Sequence, residues 1–549
     1  MNDAGFRAGP ASRAWTRFGP WLGALLFVAG LWAFGHPAFL ISDDVGILRN
    51  LESGFEAPFI SMLFGKMLLA LYRLAPAVPW YGLSLALAHA ASLGLFLSAL
   101  AALPGPRGWK RAAGVLYLSF YAGFLLRVSF NSASMMLGVN ALLAWYSRRG
   151  APPSRAAAAA LGCALAGSYL VRVDGFYLVA LLAAPVAWRG LASRRVPFFL
   201  APLVLAVALN TLAAPRFVPA AYRAYAGYNL ARGRFMDFPV AQANTNNAAL
   251  WAAVDWSAND YRALTHWFFF DEEIFTRARF EEIVARTDLA RRAPPGYAAE
   301  GLRVFWTRYR RHLLLLGLAL LAACRLSDRR GRRLAYAAYA LAIMLGVALL
   351  YRFPPRVGAP SFLAAASALV FLAAGAPPRK AGRVEGALGW AAVLAVAVPW
   401  IAEAAAWSRQ NRADRAILDE SAAVLRAYPA STLFVTEPAI GLRLEAMHPL
   451  RARRSYPENI LPAGWATFSP LFYAVLDRHG LARGAEVLPR AVDNPEILFI
   501  LFNENFGDII AAWLREHAGR EARLDKVRTL PDGRGLFRLV SAAGGGGSG

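Results

Sequence analysis

The chain has 549 residues, 57% hydrophobic and 17% charged, and its positive mean hydropathy with recurring apolar runs excludes a protein that is soluble throughout. The runs are about 17–25 residues long, enough to cross a bilayer as helices, so a mainly α, polytopic membrane protein is expected. The net charge of +24 sits in short linkers between apolar runs, as in cytoplasmic loops, which disfavours nucleic acid as a partner, and the two cysteines, Cys163 and Cys324, lie inside apolar runs with no metal-ligand or disulfide spacing.

The first apolar run, 20–40, is long and lacks a clear cleavage site, so it reads as a span and not a signal peptide. It is followed by "FLISDDVGILRN" (39–50), where two adjacent carboxylates, Asp43 and Asp44, stand at the mouth of the span. The next stretch, "APFISMLFGKMLLALYRLAP" (57–76), is apolar but carries Lys66 and Arg73. It reads as an amphipathic helix on the outer membrane surface; the alternative, a true span, breaks the charge alternation described below. Residues 41–78 thus form a first outer loop.

Further spans are expected at 79–103, 112–126, 131–147, 156–171, 176–188, 196–214, 311–325, 334–350, 359–376 and 385–402, about eleven in all. Basic residues mark alternate linkers: Arg7, Arg13 and Arg17; Arg107, Lys110 and Arg111; Arg148, Arg149 and Arg155; Arg189, Arg194 and Arg195; Arg325 to Arg333; and Arg379, Lys380 and Arg383. All fall on one side if the N-terminus is cytoplasmic. The acid pair, the short turns bearing Arg127, Arg172 and Asp174, the "RFPPR" turn (352–356) and a long loop (215–308) then face away from the cytoplasm.

That long loop contains "YAGYNLARGRFMDFPVAQANTNNAALWAAVDWSANDYRALTHWFFFDEEIF" (225–275), dense in aromatic, amide and carboxylate side chains. Sugars offer apolar C–H faces ringed by hydroxyls, so Trp256, Asp260, Tyr261, His266 and Trp267, with Asp174, are candidates for sugar or acceptor binding. An interfacial aromatic belt and ordinary loop packing explain the same residues without function. In "DWSANDY" the turn and N-cap residues Ser257, Asn259 and Asp260 precede a helix, and a lone His266 reads more readily as a packing or surface residue. The domain plan is therefore a transmembrane region over 1–402, including both outer loops, and a C-terminal extracytoplasmic region over 403–543. In the latter, strand-like runs ("TLFVTEP", "EILFILFNE", "GLFRLVS") alternate with helical stretches, as in a small α/β domain. The tail "GGGGSG" (544–549) reads as an appended linker outside the fold.

Positive-inside statistics do not explain Arg127, Arg172, Arg352 and Arg356, which belong to the other side. One such arginine can snorkel; four, with Asp43, Asp44 and Asp174 on the same face, point to a shared polar cavity. The guanidinium fork suits phosphate, and at the outer face of a membrane the phosphate within reach is that of a lipid. Carboxylates opposite it suit a general base acting on a hydroxyl. No GxxxxGK[ST], GxGxxG context, HExxH or GxSxG setting is present, which disfavours an ATPase, a zinc hydrolase and a serine hydrolase.

With a first span, an early outer "DD", a surface helix, many spans, a late "YRFPPRV" and a C-terminal outer domain, the layout resembles the GT-C superfamily of integral-membrane glycosyltransferases. The resemblance implies a bacterial inner-membrane enzyme whose donor is a polyprenyl-phosphate-linked sugar. Its acceptor would be a hydroxyl of a glycolipid, envelope polysaccharide or protein. It implies Asp43 or Asp44 as the base of an inverting displacement, Asp43 being favoured as the first acid of the pair, with the other in support, and Arg352 and Arg356, with Arg127 or Arg172, on the carrier phosphate. No cofactor is implied; a divalent metal at Asp43 and Asp44 has no further carboxylate set to hold it. The WWDYG-type motif of oligosaccharyltransferases is missing, against transfer to asparagine. A transporter or lipid flippase, and a ligase or polymerase using diphosphate-linked glycans, are the alternative readings.

Overall fold

The computed structural model describes residues 10–148, 153–188, 193–237, 247–287, 297–325, 330–350, 353–374, 383–436, 443–451, 457–502 and 506–542. Arg352, the 544–549 tail and the linker residues Arg7, Arg149, Arg189, Arg329, Arg379 and Lys380 lie outside them.

Each of the eleven expected spans falls on a helix: α1 (Pro10–Phe34), α4 (Trp80–Ala102), α5 (Arg107–Leu126), α6 (Phe130–Ser147), α7 (Arg155–Val171), α8 (Val173–Ala187), α9 (Val196–Ala208), α14 (Tyr297–Arg325), α15 (Arg330–Leu350), α16 (Pro355–Ala373) and α17 (Arg383–Arg426). Among the described residues, five helical stretches are long and apolar enough to cross a membrane by length and composition: Trp80–Ala102, Val196–Phe217, Arg330–Leu350, Pro355–Ala373 and Gly389–Arg426. Phe18–Phe34, Arg155–Val171 and Val173–Ala187 are apolar but shorter. Between α1 and α4 lie the two-residue strand β1 (Ala38–Phe39), α2 (Ser42–Glu52) and α3 (Met62–Leu74). The 13 residues of α3 reach only about 20 Å, too short to span, in line with the expected surface helix.

Serine caps punctuate the bundle. Ser61, Ser129 and Ser154 each accept from a backbone N–H in the first turn of α3, α6 and α7. Between α5 and α6 the chain makes the strand β2 (Arg127–Val128), which pairs in parallel with β1, Ala38 opposite Arg127 and Phe39 opposite Val128. The first span therefore ends earlier than expected, at Phe34, because Gly35 to Phe39 leave the helix to make this pairing. Asn411 of α17 ties the junction down by donating to the carbonyls of His36 (3.0 Å) and Leu126 (2.9 Å). The central helix is α6, buried from Phe130 to Tyr146.

The long loop folds into α10 (Ala220–Met236), α11 (Ala248–Ala252), α12 (Ala258–Thr265) and α13 (Arg277–Thr287). Beyond α17 come β3 (Leu433–Thr436), β4 (Ile460–Leu461), α18 (Pro470–Arg478), α19 (Val487–Asp493), β5 (Ile497–Leu501), α20 (Phe506–Ala518), β6 (Ala522–Thr529) and β7 (Gly535–Ser541). They build the small mixed sheet expected at the C-terminus, in the order β4-β3-β5-β7-β6, parallel from β4 to β5 and antiparallel beyond. α17 runs unbroken through residue 403, and the aromatic loop and the C-terminal region share one hydrophobic core, with Tyr228, Trp256 and Phe270 packed in the same cluster as Phe472, Phe499 and Trp513. Cys163 and Cys324 are both free thiols.

Candidate functional site

The β1–β2 pairing sets α2 beside the N-terminus of α6, and the acid pair starts α2. Asp44 points inward and is fully buried: Tyr81 Oη donates to its Oδ1 at 2.7 Å and the Phe130 N–H at 3.0 Å. Burial pushes its carboxyl up to about 7, against the lowering effect of those two donors. Asp43 points the other way, its Oδ2 3.3 Å from a guanidinium nitrogen of Arg356. Arg356 stands in the first turn of α16, where Pro354 is extended and Pro355 begins the helix; Tyr309 Oη fixes the approach by donating to the Phe353 carbonyl at 2.6 Å.

Asp43 and Arg356 share the wall of a cavity of about 270 Å³. Its other walls come from α2 (Gly46, Arg49, Asn50), from Arg232, Asp237 and Trp267 of the aromatic loop, and from Glu445 and residues 460–466 of the C-terminal region. Arg172 stands behind Phe59, another lining residue: it donates to the Phe59 carbonyl at 2.7 Å, pairs with Asp174 at 2.7 Å, and lies close enough for its charge to act on Asp43 and Arg356. Phe59 and Trp267 both hold positive φ (70° and 61°), a conformation costly for aromatic residues and found where a site dictates the backbone. The cavity thus combines a carboxylate, guanidinium groups and aromatic faces, the means to hold a phosphate beside a hydroxyl-bearing ring and to take a proton from it.

No family model matches the chain. No curated protein matches it either. Among solved structures, ArnT from Cupriavidus metallidurans bound to undecaprenyl phosphate is similar with a TM-score of 0.38 and 14% identity over 98% of this chain and 100% of that one. The apo structure of the same protein gives 0.38 and 14% over 96% and 99%. That degree of similarity leaves the reading of the cavity to its own geometry.

Of the sequence-derived candidates, Asp43, Arg356 and Trp267 line the cavity, and Arg172 with Asp174 supports it. Asp44 is a buried anchor off the cavity wall, because its carboxyl is turned to α4 and α6. Arg127 goes elsewhere: the β2 backbone aims it at α17, where it lies over the Trp407 ring at 5.4 Å. Trp256, Asp260 and Tyr261 are core residues. The Trp256 indole donates to Ile274, Tyr261 stacks on Trp251 at 3.9 Å, and Asp260 closes a capping box with Ser257 and accepts from His517 at 2.9 Å. His266 is exposed and bonded to the Arg262 carbonyl. Among the described residues, the group able to gather three metal-type ligand atoms is Asp260, Glu516 and His517, away from Asp43.

The sequence reading missed Arg232, Glu445 and Trp465. Arg232 is 2% exposed, donates twice to Asn229 Oδ1 and lies 4.7 Å over Trp267, so an arginine inside the helical "YNLARGRFM" was the available signal. Nothing local marks Glu445 or Trp465; only the fold of the C-terminal region carries them to the cavity.

Proposed function

We propose that this multi-pass membrane protein is an inverting glycosyltransferase that moves a sugar from a polyprenyl-phosphate carrier to a hydroxyl of a glycolipid, envelope polysaccharide or protein. The observation that carries the reading is the meeting of Asp43, on α2, with Arg356, at the N-terminal end of α16, on one cavity wall. The carrier phosphate competes for Arg356, with Arg172 adding positive potential, and draws the guanidinium off Asp43. The freed carboxylate accepts the acceptor's hydroxyl proton. The acceptor oxygen bonds to the anomeric carbon as the bond from that carbon to the phosphate oxygen breaks, and the electron pair leaves on the polyprenyl phosphate. The N-terminus and basic linkers face the cytoplasm in this reading, and the cavity faces the opposite side.

The test supplies labelled polyprenyl-phosphate sugars and membrane extract as acceptor source to membranes holding the wild-type, Asp43→Asn or Arg356→Ala protein. Loss of a general base lowers transfer about 10²–10⁴-fold. Arg356→Ala should also raise the carrier concentration needed for half-maximal rate. Full transfer by Asp43→Asn removes the base assignment, and solute uptake without glycosyl product would establish a transporter in its place.

A further inference from the structure

Glu445 reaches the cavity from the short 3-10 turn Leu444–Ala446, which packs against α2, β1 and α17. Its charge interacts with that of Asp43 and with those of Arg534 and Arg443. Both arginines have other carboxylates: Arg443 pairs with Asp414, and Arg534 with Asp532. Among the described residues, the Glu445 carboxylate takes a hydrogen bond from its own backbone N–H and from no other side chain. Its side chain is partly exposed at the cavity, so an incoming ligand can supply the donors that the protein does not. Burial also pushes its carboxyl above the ordinary range.

Phosphate oxygens only accept and are repelled by a carboxylate, whereas sugar hydroxyls donate readily. Among the charged groups of its wall, the Arg356 guanidinium stands beside Asp43 at the start of α16, and the Glu445 acid comes from the C-terminal region. Trp267, with the Arg232 guanidinium 4.7 Å over its ring, and Trp465 add aromatic faces to the same cavity.

We infer that Glu445 is a sugar-binding residue whose carboxyl engages a hydroxyl of the saccharide on the carrier and fixes its direction, phosphate towards Arg356 and ring towards the C-terminal wall. This rests on the glycosyl-transfer reading above. It also gives the C-terminal region a part in donor recognition.

The full-length protein in lipid nanodiscs is titrated with bare polyprenyl phosphate and with polyprenyl phosphates bearing a hexose or a pentose, followed by tryptophan fluorescence. Glu445→Gln should weaken the tightest-binding sugar carrier about tenfold, the worth of one hydrogen bond to a charged group, and leave bare polyprenyl phosphate unchanged. Glu445→Asp should recover part of the loss. Equal weakening of both carriers would mean a structural role, and no weakening of the sugar carrier would mean no role; either overturns the inference and leaves the glycosyl-transfer reading standing. A wild-type protein that binds neither carrier overturns both.

Discussion

Tyr81 and the Phe130 amide both bond to Oδ1 of Asp44, and Oδ2 is buried without a hydrogen-bond partner. The two donors favour the ionised form, but burial outweighs them and is the dominant cause of the carboxyl's rise from 3.8 to about 7. The sign follows. Because the folded protein holds this proton more tightly than the unfolded chain does, the stabilisation is complete below about pH 4. It drains away as pH rises and is gone above about 7, up to about 4 kcal/mol in all. Thermal unfolding in detergent should therefore occur at lower temperature at pH 8 than at pH 5. Asp44→Asn, which keeps an acceptor for Tyr81 and Phe130 and never ionises, should flatten that dependence and retain much more transfer than Asp43→Asn. Parallel pH profiles for wild type and Asp44→Asn would show that Asp44 is not the source. The two neighbours thus divide a task that the sequence presents as a pair: "DD" names the acids, but only the pairing of β1 with β2 decides which one faces the cavity.

The same division runs through the elements. The apolar runs were legible because each buries or exposes hydrophobic side chains over a whole helix, and "TLFVTEP", "EILFILFNE" and "GLFRLVS" were legible as β3, β5 and β7 because their centres are apolar. β6, "ARLDKVRT", was not: it is a solvated edge strand whose charges hide any alternation. β1 and β2 are two residues each, below any periodicity. Contact between elements is harder still to read. On α2, Gly46 gives the Trp465 ring its place; a Cβ there would lie 2.1 Å from a ring carbon. Trp465 is also held by an edge contact with Phe59, 4.8 Å between centroids, so its ring has little room to yield. Gly46→Ala should then cost about 1–3 kcal/mol by overpacking, despite alanine's better helix propensity, and should displace the Trp465 wall. The checks are a lower unfolding temperature together with weakened carrier binding. An unchanged or higher unfolding temperature would mean that α2 and the 460–466 segment are not packed in this way.

For the whole molecule, the division drawn from composition at residue 402/403 separates apolar from polar sequence, whereas the packing joins polar segments to each other across the bundle. The aromatic loop meets the C-terminal region through Phe268 on Phe506 (5.3 Å), Tyr228 on Phe468 (5.1 Å) and Phe270 stacked with Phe472 (6.3 Å). Polar bonds fix the same contact: Asn259 donates to the Ile509 carbonyl at 3.1 Å, and Glu272 accepts from the amides of Gly484 and Ala485. Among the described residues, the aromatic side chains of "YAGYNLARGRFMDFPVAQANTNNAALWAAVDWSANDYRALTHWFFFDEEIF" therefore serve mainly as core, and Trp267, packed at the edge of that core, also turns to the cavity. Each large apolar side chain stripped of this cover forfeits about 1.5–3 kcal/mol, and several would be stripped at once. A chain ending at residue 402 should accordingly keep its membrane helices yet lose the folded aromatic loop, giving aggregates on size exclusion in detergent and rapid proteolysis within 220–287. Co-expressing 403–542 as a separate chain should not fully restore the cavity, because the cut severs α17 between its apolar stretch and the Asn411 bonds that secure the β1–β2 junction beneath Asp43. A monodisperse 1–402 chain with a protease-resistant aromatic loop would mean that the loop folds on its own and that the shared core is not what holds the cavity together.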